Sequence, residues 1–274
     1  PPGERLRTML PLADGPIIDL HAHVHPFALP VRRASARELV ADMDRLGIEL
    51  TAVSSAHAIM QDMVEGNAQL ARDLETTDRL RGYAFANPNQ VELSVSQLRR
   101  YLPEPGFIGL KLYSGGYIGH PLNCPEHVGI LDVVASEFPK AIVLVHCGEN
   151  DPANFPGLVS LAREFPALTF LAGHMGSRLW RDALPVLAQA PNIVAEICAP
   201  VPARSRIEDA VRVMGADRVV FGSDWPIISQ PYMLGCVHDA EISDSDRRAI
   251  LYDNAARILR QAGQLAGSEN DSVR

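Results

Sequence analysis

The apolar positions of this chain fall in short runs rich in β-branched residues, separated by longer stretches with helical spacing. The runs are Ile17–Leu20, Leu50–Ser54, Arg81–Ala86, Phe107–Tyr113, Ala141–His146, Leu168–Gly173, Asn192–Cys198 and Arg218–Gly222. Most are continuous rather than alternating, the pattern of strands buried on both faces of a parallel sheet. Between them, Ala36–Leu46 sets Leu39, Val40, Met43 and Leu46 on one helical face. Val128–Glu137, Phe155–Glu164, Trp180–Gln189 and Ile207–Met214 repeat that spacing. A last helix is expected from Ser243, which has the chemistry of an N-cap, to about Gln261.

Strands and helices in strict alternation predict an α/β protein, a single-domain (β/α)8 TIM barrel over residues 15–262. An open doubly wound sheet would show the same alternation. There, however, a glycine-rich GxGxxG turn follows the first strand, and here a histidine cluster does. Residues 1–14 read as an N-terminal arm and 263–274 as a disordered polar tail.

Composition narrows the functional classes. The chain has 274 residues, 47% hydrophobic and 21% charged, the balance of a folded protein with a substantial core. No apolar run approaches the ~18 residues that span a bilayer, so no membrane partner is expected. With a net charge of −8 and no more than two Lys or Arg in a row, nucleic acid is not an expected partner either. Cys124, Cys147, Cys198 and Cys236 show no CxxC spacing, which fits a reducing, cytoplasmic setting. The N-terminal residues lack the pattern of a secretory signal, although the chain does not begin with Met.

Barrel enzymes do their chemistry at the C-terminal ends of the strands. Strand 1 ends in Asp19-Leu20-His21-Ala22-His23, and residues two apart in a strand point the same way, so His21 and His23 share a side. Strand 5 ends in Val145-His146-Cys147-Gly148, strand 6 in Gly173-His174-Met175-Gly176, and strand 8 in Gly222-Ser223-Asp224-Trp225-Pro226. One histidine at a strand end is ordinarily a hydrogen-bonded core or loop residue, and one aspartate an ordinary helix cap. As a set they need a partner, because burying several imidazoles and a carboxylate together is costly unless something binds them. A divalent cation fits that need: imidazole supplies nitrogen lone pairs and aspartate a hard anionic oxygen.

His-x-His after strand 1, single histidines after strands 5 and 6 and Asp after strand 8 resemble the amidohydrolase superfamily. The phrases Ile17-Ile18-Asp19-Leu20-His21-Ala22-His23, Gly173-His174-Met175-Gly176 and Phe221-Gly222-Ser223-Asp224-Trp225-Pro226 are most similar to its amidohydrolase 2 branch. That branch includes the aminocarboxymuconate semialdehyde decarboxylase-like proteins. The resemblance runs from about Ile17 to Leu259. It implies that His21, His23, His146 and Asp224 hold one metal ion, zinc by family habit with manganese as the alternative. It implies a catalytic role for Asp224 and His174, with His174 becoming a ligand in two-metal members. Lys111 stands where two-metal members carry a carboxylated lysine. Pairing with a substrate carboxylate or with a nearby acid would equally account for a lysine in a strand.

The chemistry implied is that of a metal-activated water. Asp224 would accept its proton as the water attacks a carbonyl and return it to the leaving group, while His174 stabilises the oxyanion. The main expectation is hydrolysis of an amide, lactone or related carbonyl of a small carboxylated substrate. The alternative is a nonoxidative decarboxylase; the short stretch between His23 and strand 2 leaves little room for the insert that decarboxylases often carry and tilts the reading toward hydrolysis. A non-catalytic binding protein on the barrel scaffold is the reading from another class. Expected substrate contacts are Lys111, Tyr113, Arg178, His25 and Trp225, with the Gly115-Gly116 loop as a lid. A homodimer through the outer helices is expected by analogy alone.

Overall fold

Eight strands, β1 (Ile17–Val24), β2 (Ile48–Ser55), β3 (Leu80–Phe85), β4 (Phe107–Leu112), β5 (Ile142–His146), β6 (Thr169–Gly173), β7 (Ile193–Glu196) and β8 (Val219–Val220), pair in parallel in sequence order. The computed structural model describes residues 15–31, 34–114, 118–147, 154–199, 201 and 203–265. The expected arm at 1–14, the Gly115-Gly116 turn and most of the expected tail lie outside the described residues. The barrel closes through the main chain. Leu20 N donates to Phe221 O (3.0 Å), Asp224 N to His21 O (2.7 Å) and His23 N to Trp225 O (2.6 Å). The fold is thus a (β/α)8 TIM barrel.

The expected helices are present, with some boundaries shifted. The first, α1 (Ala36–Leu46), opens on a capping box between Ser35 and Glu38 and stops at Gly47, whose φ of +71° suits a residue without a Cβ. Then come α2 (Ala56–Met60), α3 (Met63–Leu74) and α4 (Val91–Tyr101), which apolar periodicity does not mark. Their buried faces explain why: Gly66 and Asn67 of α3 and Ser94 and Gln97 of α4 occupy positions where the pattern asks for aliphatic side chains. Asn67 is held there by bonds to both the N–H and the C=O of Phe85, at 2.9 and 3.0 Å. The outer layer continues with α5 (Pro125–Glu137), α6 (Asn154–Glu164), α7 (Trp180–Leu187), α8 (Arg206–Met214) and α9 (Gln230–Asp239). The last long helix does start from the Ser243 cap, but is divided into α10 (Asp244–Arg248), a π-helical stretch at Ala249–Asp253 and α11 (Asn254–Gln261). Among the described residues no helix is long and apolar enough to cross a membrane.

Two apolar layers follow from this. Ile18, Leu20, Leu50, Ile108, Leu144, Leu171, Val194 and Val220 fill the barrel interior, and Ala255, Ala256, Ile258 and Leu259 of α11 join them. A larger cluster joins the outer faces of the strands to the helices. The register of β1 against β2 shifts between Asp19 and Ala22. Across that irregularity the alternation changes phase: Ile18 and Leu20 belong to the interior, whereas Ala22 and Val24 belong to the outer layer. This phase change turns His21 and His23 toward the barrel mouth, above the Leu20 layer.

Candidate metal centre

His21, His23, Lys111, His146, His174 and Asp224 converge at the mouth. His21 and Lys111 are fully buried, and His23, His174 and Asp224 are each 5% exposed. His23 Nε2 lies 3.2 Å and His21 Nε2 3.8 Å from the same oxygen, Asp224 Oδ1. Ring centroids of His21 and His174 are 5.0 Å apart, and those of His146 and His174 are 4.8 Å apart.

The partners of the other ring nitrogens assign the tautomers of His21, His174 and His146. Glu196 Oε2 accepts from His21 Nδ1 at 2.7 Å, leaving the Nε2 lone pair toward Asp224. Ser54 Oγ meets His23 Nδ1 at 2.9 Å, and a hydroxyl that donates there leaves His23 Nε2 to donate to Asp224 Oδ1 at 3.2 Å. His174 Nδ1 donates to Cys198 O (3.3 Å), so its Nε2 accepts from His146 Nδ1 (3.1 Å) and frees His146 Nε2. The Nε2 atoms of His21 and His23 thus meet at one carboxylate oxygen, Asp224 Oδ1, within a buried pocket. The donor set fits a divalent metal held by imidazole nitrogens and a carboxylate oxygen.

One constellation of potential ligand atoms overlaps the expected set only in part. His21, His174, Cys198 and Asp224 place one such atom each within 4.8 Å of one another, which brings His174 and Cys198 beside the expected ligands. Cys198 Sγ lies 3.0 Å from Glu196 Oε2 and 3.1 Å from His174 Nδ1. Burial, with Glu196 and Asp224 nearby, raises its thiol well above the ordinary value, so it serves here as a donor to Glu196 rather than as a thiolate.

Local backbone builds this geometry. Asp224 has φ +58° and His174 φ +65°, left-handed conformations that re-aim side chains at the ends of strands. Gly176, at φ +89°, follows His174; a Cβ there would meet Ala183 Cβ at 2.5 Å. Buried Asp19 ties the two halves of the site together. Its Oδ1 accepts from His21 N (3.1 Å) and Ser223 N (3.0 Å), and its Oδ2 from Ser223 Oγ (2.6 Å) and Gln230 Nε2 (3.1 Å).

Burial dominates the electrostatics. It lifts Glu196 to about 7 and Asp19 to about 6, against the hydrogen bonds that each receives. It lowers Lys111 to about 8 and His174 to about 4. At Asp224 burial pushes the carboxyl up, but the His23 hydrogen bond and the neighbouring cationic groups outweigh it and hold the group below its ordinary value.

Lys111 Nζ lies 3.1 Å from His21 Nε2, on the lone pair a metal would use. Tyr113 stacks on His146, centroids 4.1 Å apart and rings 12° from parallel. The other expected substrate contacts are not brought to the cluster. His25 is turned outward between Ser55 Oγ (2.8 Å) and Asp73 Oδ2 (2.9 Å). Trp225 donates its indole N–H to Asp42 of α1 (3.0 Å), and Arg178 is exposed. Sequence reasoning missed Glu196 and Cys198. The signal was present at Glu196, a lone acid closing the otherwise apolar run Ile193-Val194-Ala195.

The sequence profile of the amidohydrolase family matches residues 18–261. Among curated proteins, gamma-resorcylate decarboxylase of Polaromonas sp. is 25% identical over 284 aligned positions, covering 80% of this chain and 85% of that protein. L-fucono-1,5-lactonase of Burkholderia ambifaria is 31% identical over 94 residues, 28% of this chain and 32% of the lactonase. The chain thus spans under half the length of the curated relatives it matches first, at 42% and 32%. Among solved structures, dihydroxybenzoic acid decarboxylase of Polaromonas sp., crystallised with manganese and 2-nitroresorcinol, superposes with a TM-score of 0.70. It is 20% identical, with 92% of this chain and 100% of that one covered, a likeness that bears on the fold.

Proposed function

The chain belongs to the amidohydrolase family and is an enzyme of that superfamily, and from that premise we propose that it is a metal-dependent nonoxidative decarboxylase of a small carboxylic acid. The observation that carries this reading is the alignment with gamma-resorcylate decarboxylase, which extends over most of both chains. The short stretch after His23 does not weigh against it, because a decarboxylase aligns here over 85% of its own length. Hydrolysis of a lactone is the second reading, favoured by the shorter match to a lactonase.

In this reading His21, His23, His146 and Asp224 hold one zinc or manganese ion, with His174 alongside. Manganese gains support from the decarboxylase structure that contains it. When bound, the ion supplies Lewis-acid polarisation of the carboxylated substrate. Asp224 carries the proton that replaces the departing carboxyl group on carbon, so that RCOO⁻ and H⁺ become RH and CO2. His174, kept neutral by burial, orients the substrate rather than competing as a cation. Lys111 contributes a positive charge beside the ligands.

The deciding experiment incubates the manganese- or zinc-loaded protein with 2,6-dihydroxybenzoate and related hydroxy acids, and separately with L-fucono-1,5-lactone. CO2 release that disappears in Asp224→Asn, with bound metal retained, supports the decarboxylase. Acid production from the lactone without CO2 release from any acid replaces it with the hydrolase.

A further inference from the structure

Arg206, the first residue of α8, is only 4% exposed, yet among the described residues its buried guanidinium Nη1 has no hydrogen-bond partner. A buried guanidinium is expensive unless its donors are met, so such a group in a native fold marks a place for an anion. It follows β7 on the catalytic face. The acidic groups around it are Cys198 and Glu196 on the metal side and Cys236 and Tyr232 on the other. On that second side lies a cavity of about 600 Å3 between the start of α8 and α9, lined by Arg204, Arg206 and Tyr232 among others.

The carboxylates of that cavity are already engaged. Glu208 accepts from Glu241 N at 3.0 Å, and Asp239 meets His238 Nδ1 at 3.0 Å. The start of α8 adds to the positive character. Ser205 sits at φ +67° with its side chain giving no cap, so the first N–H groups of the helix lack one, although Glu208 and Asp209 in the first turn offset part of its dipole.

We propose that Arg206 is a substrate-binding residue that anchors a carboxylate at the cavity between α8 and α9. The identification of that anion as substrate rests on the proposed function. A planar guanidinium grips a carboxylate through two parallel hydrogen bonds, which fixes direction as well as charge. This role was expected at Arg178, which the fold leaves at the surface.

The test is titration calorimetry and thermal unfolding of the manganese-loaded full chain with benzoate, 2,6-dihydroxybenzoate and inorganic phosphate, at constant ionic strength against chloride. Either acid should raise Tm saturably and bind at least about tenfold more tightly to the wild type than to Arg206→Gln. Arg206→Lys, which keeps the charge and loses the fork, should fall between. Metal content should be equal in all three. Equal acid binding by wild type and Arg206→Gln, no saturable effect of either acid on the wild type, or binding of phosphate alone overturns the proposal. Acid binding that Arg206→Gln abolishes, with no CO2 evolved, leaves the anchor standing and defeats the decarboxylase reading. CO2 evolved with unchanged KM by both proteins defeats the anchor alone.

Discussion

Glu196 Oε2 and His21 Nδ1 are 2.7 Å apart with both side chains fully buried, and this contact decides which nitrogen of His21 faces the centre. The acceptor holds the proton on Nδ1 and keeps the Nε2 lone pair available. The same oxygen also accepts from His174 N at 3.1 Å, so one carboxylate aligns histidines from two strand ends.

Glu196→Gln keeps the shape but weakens the acceptor and admits the wrong tautomer. Metal affinity should fall roughly 10–100-fold, as for other partners of metal-binding histidines. A competition titration with a chromophoric chelator measures it; unchanged affinity would show that Glu196 does not govern His21.

Lys111 poses a sharper alternative. Its ammonium lies 3.1 Å from His21 Nε2 and opposes a cation at that nitrogen. Lys111→Met should therefore bind manganese more tightly while losing turnover. Were the lysine carboxylated and bridging two ions, the same variant would instead lose metal, and elemental analysis separates the two outcomes.

His25 is a brace rather than a substrate contact. It links the end of β1 to Ser55 and to Asp73 of α3, so His25→Ala should cost about 1–2 kcal/mol of stability by urea unfolding. Turnover per bound metal should stay as in the wild type. A selective rise in KM without loss of stability would return His25 to the substrate pocket.

His127 sets an acid limit away from the centre. Burial lowers its pKa below the 6.5 of an unfolded histidine, and its Nε2 has no hydrogen-bond partner among the described residues. Below that value the unfolded chain takes up a proton that the folded one refuses. The stabilisation is thus complete above about pH 6.5 and is lost as the pH falls toward the folded value. Between roughly pH 7.5 and 5.5 the wild type should therefore lose more stability than His127→Gln. Parallel pH profiles of the two proteins in urea would contradict this.

The barrel was legible because continuous apolar runs and helical stripes are local consequences of burial on two faces and on one. Helices α3 and α4 escaped because Asn67, Ser94 and Gln97 are buried through hydrogen bonds or packing that no periodicity records. The positions of His21, His23, His146, His174 and Asp224 could likewise be read as strand ends from spacing alone.

What one dimension determined, then, was which residues arrive at the mouth of the barrel: strand order and the two-residue period are written along the chain. Where each side chain points was decided in three dimensions. The phase change in β1 turned His21 and His23 inward, the outward turn of His25 gave it to Ser55 and Asp73, and folding brought Glu196 to His21 across 175 residues. Burying a charge has consequences only once the neighbours that meet it, or leave it unmet as at Arg206, are in place.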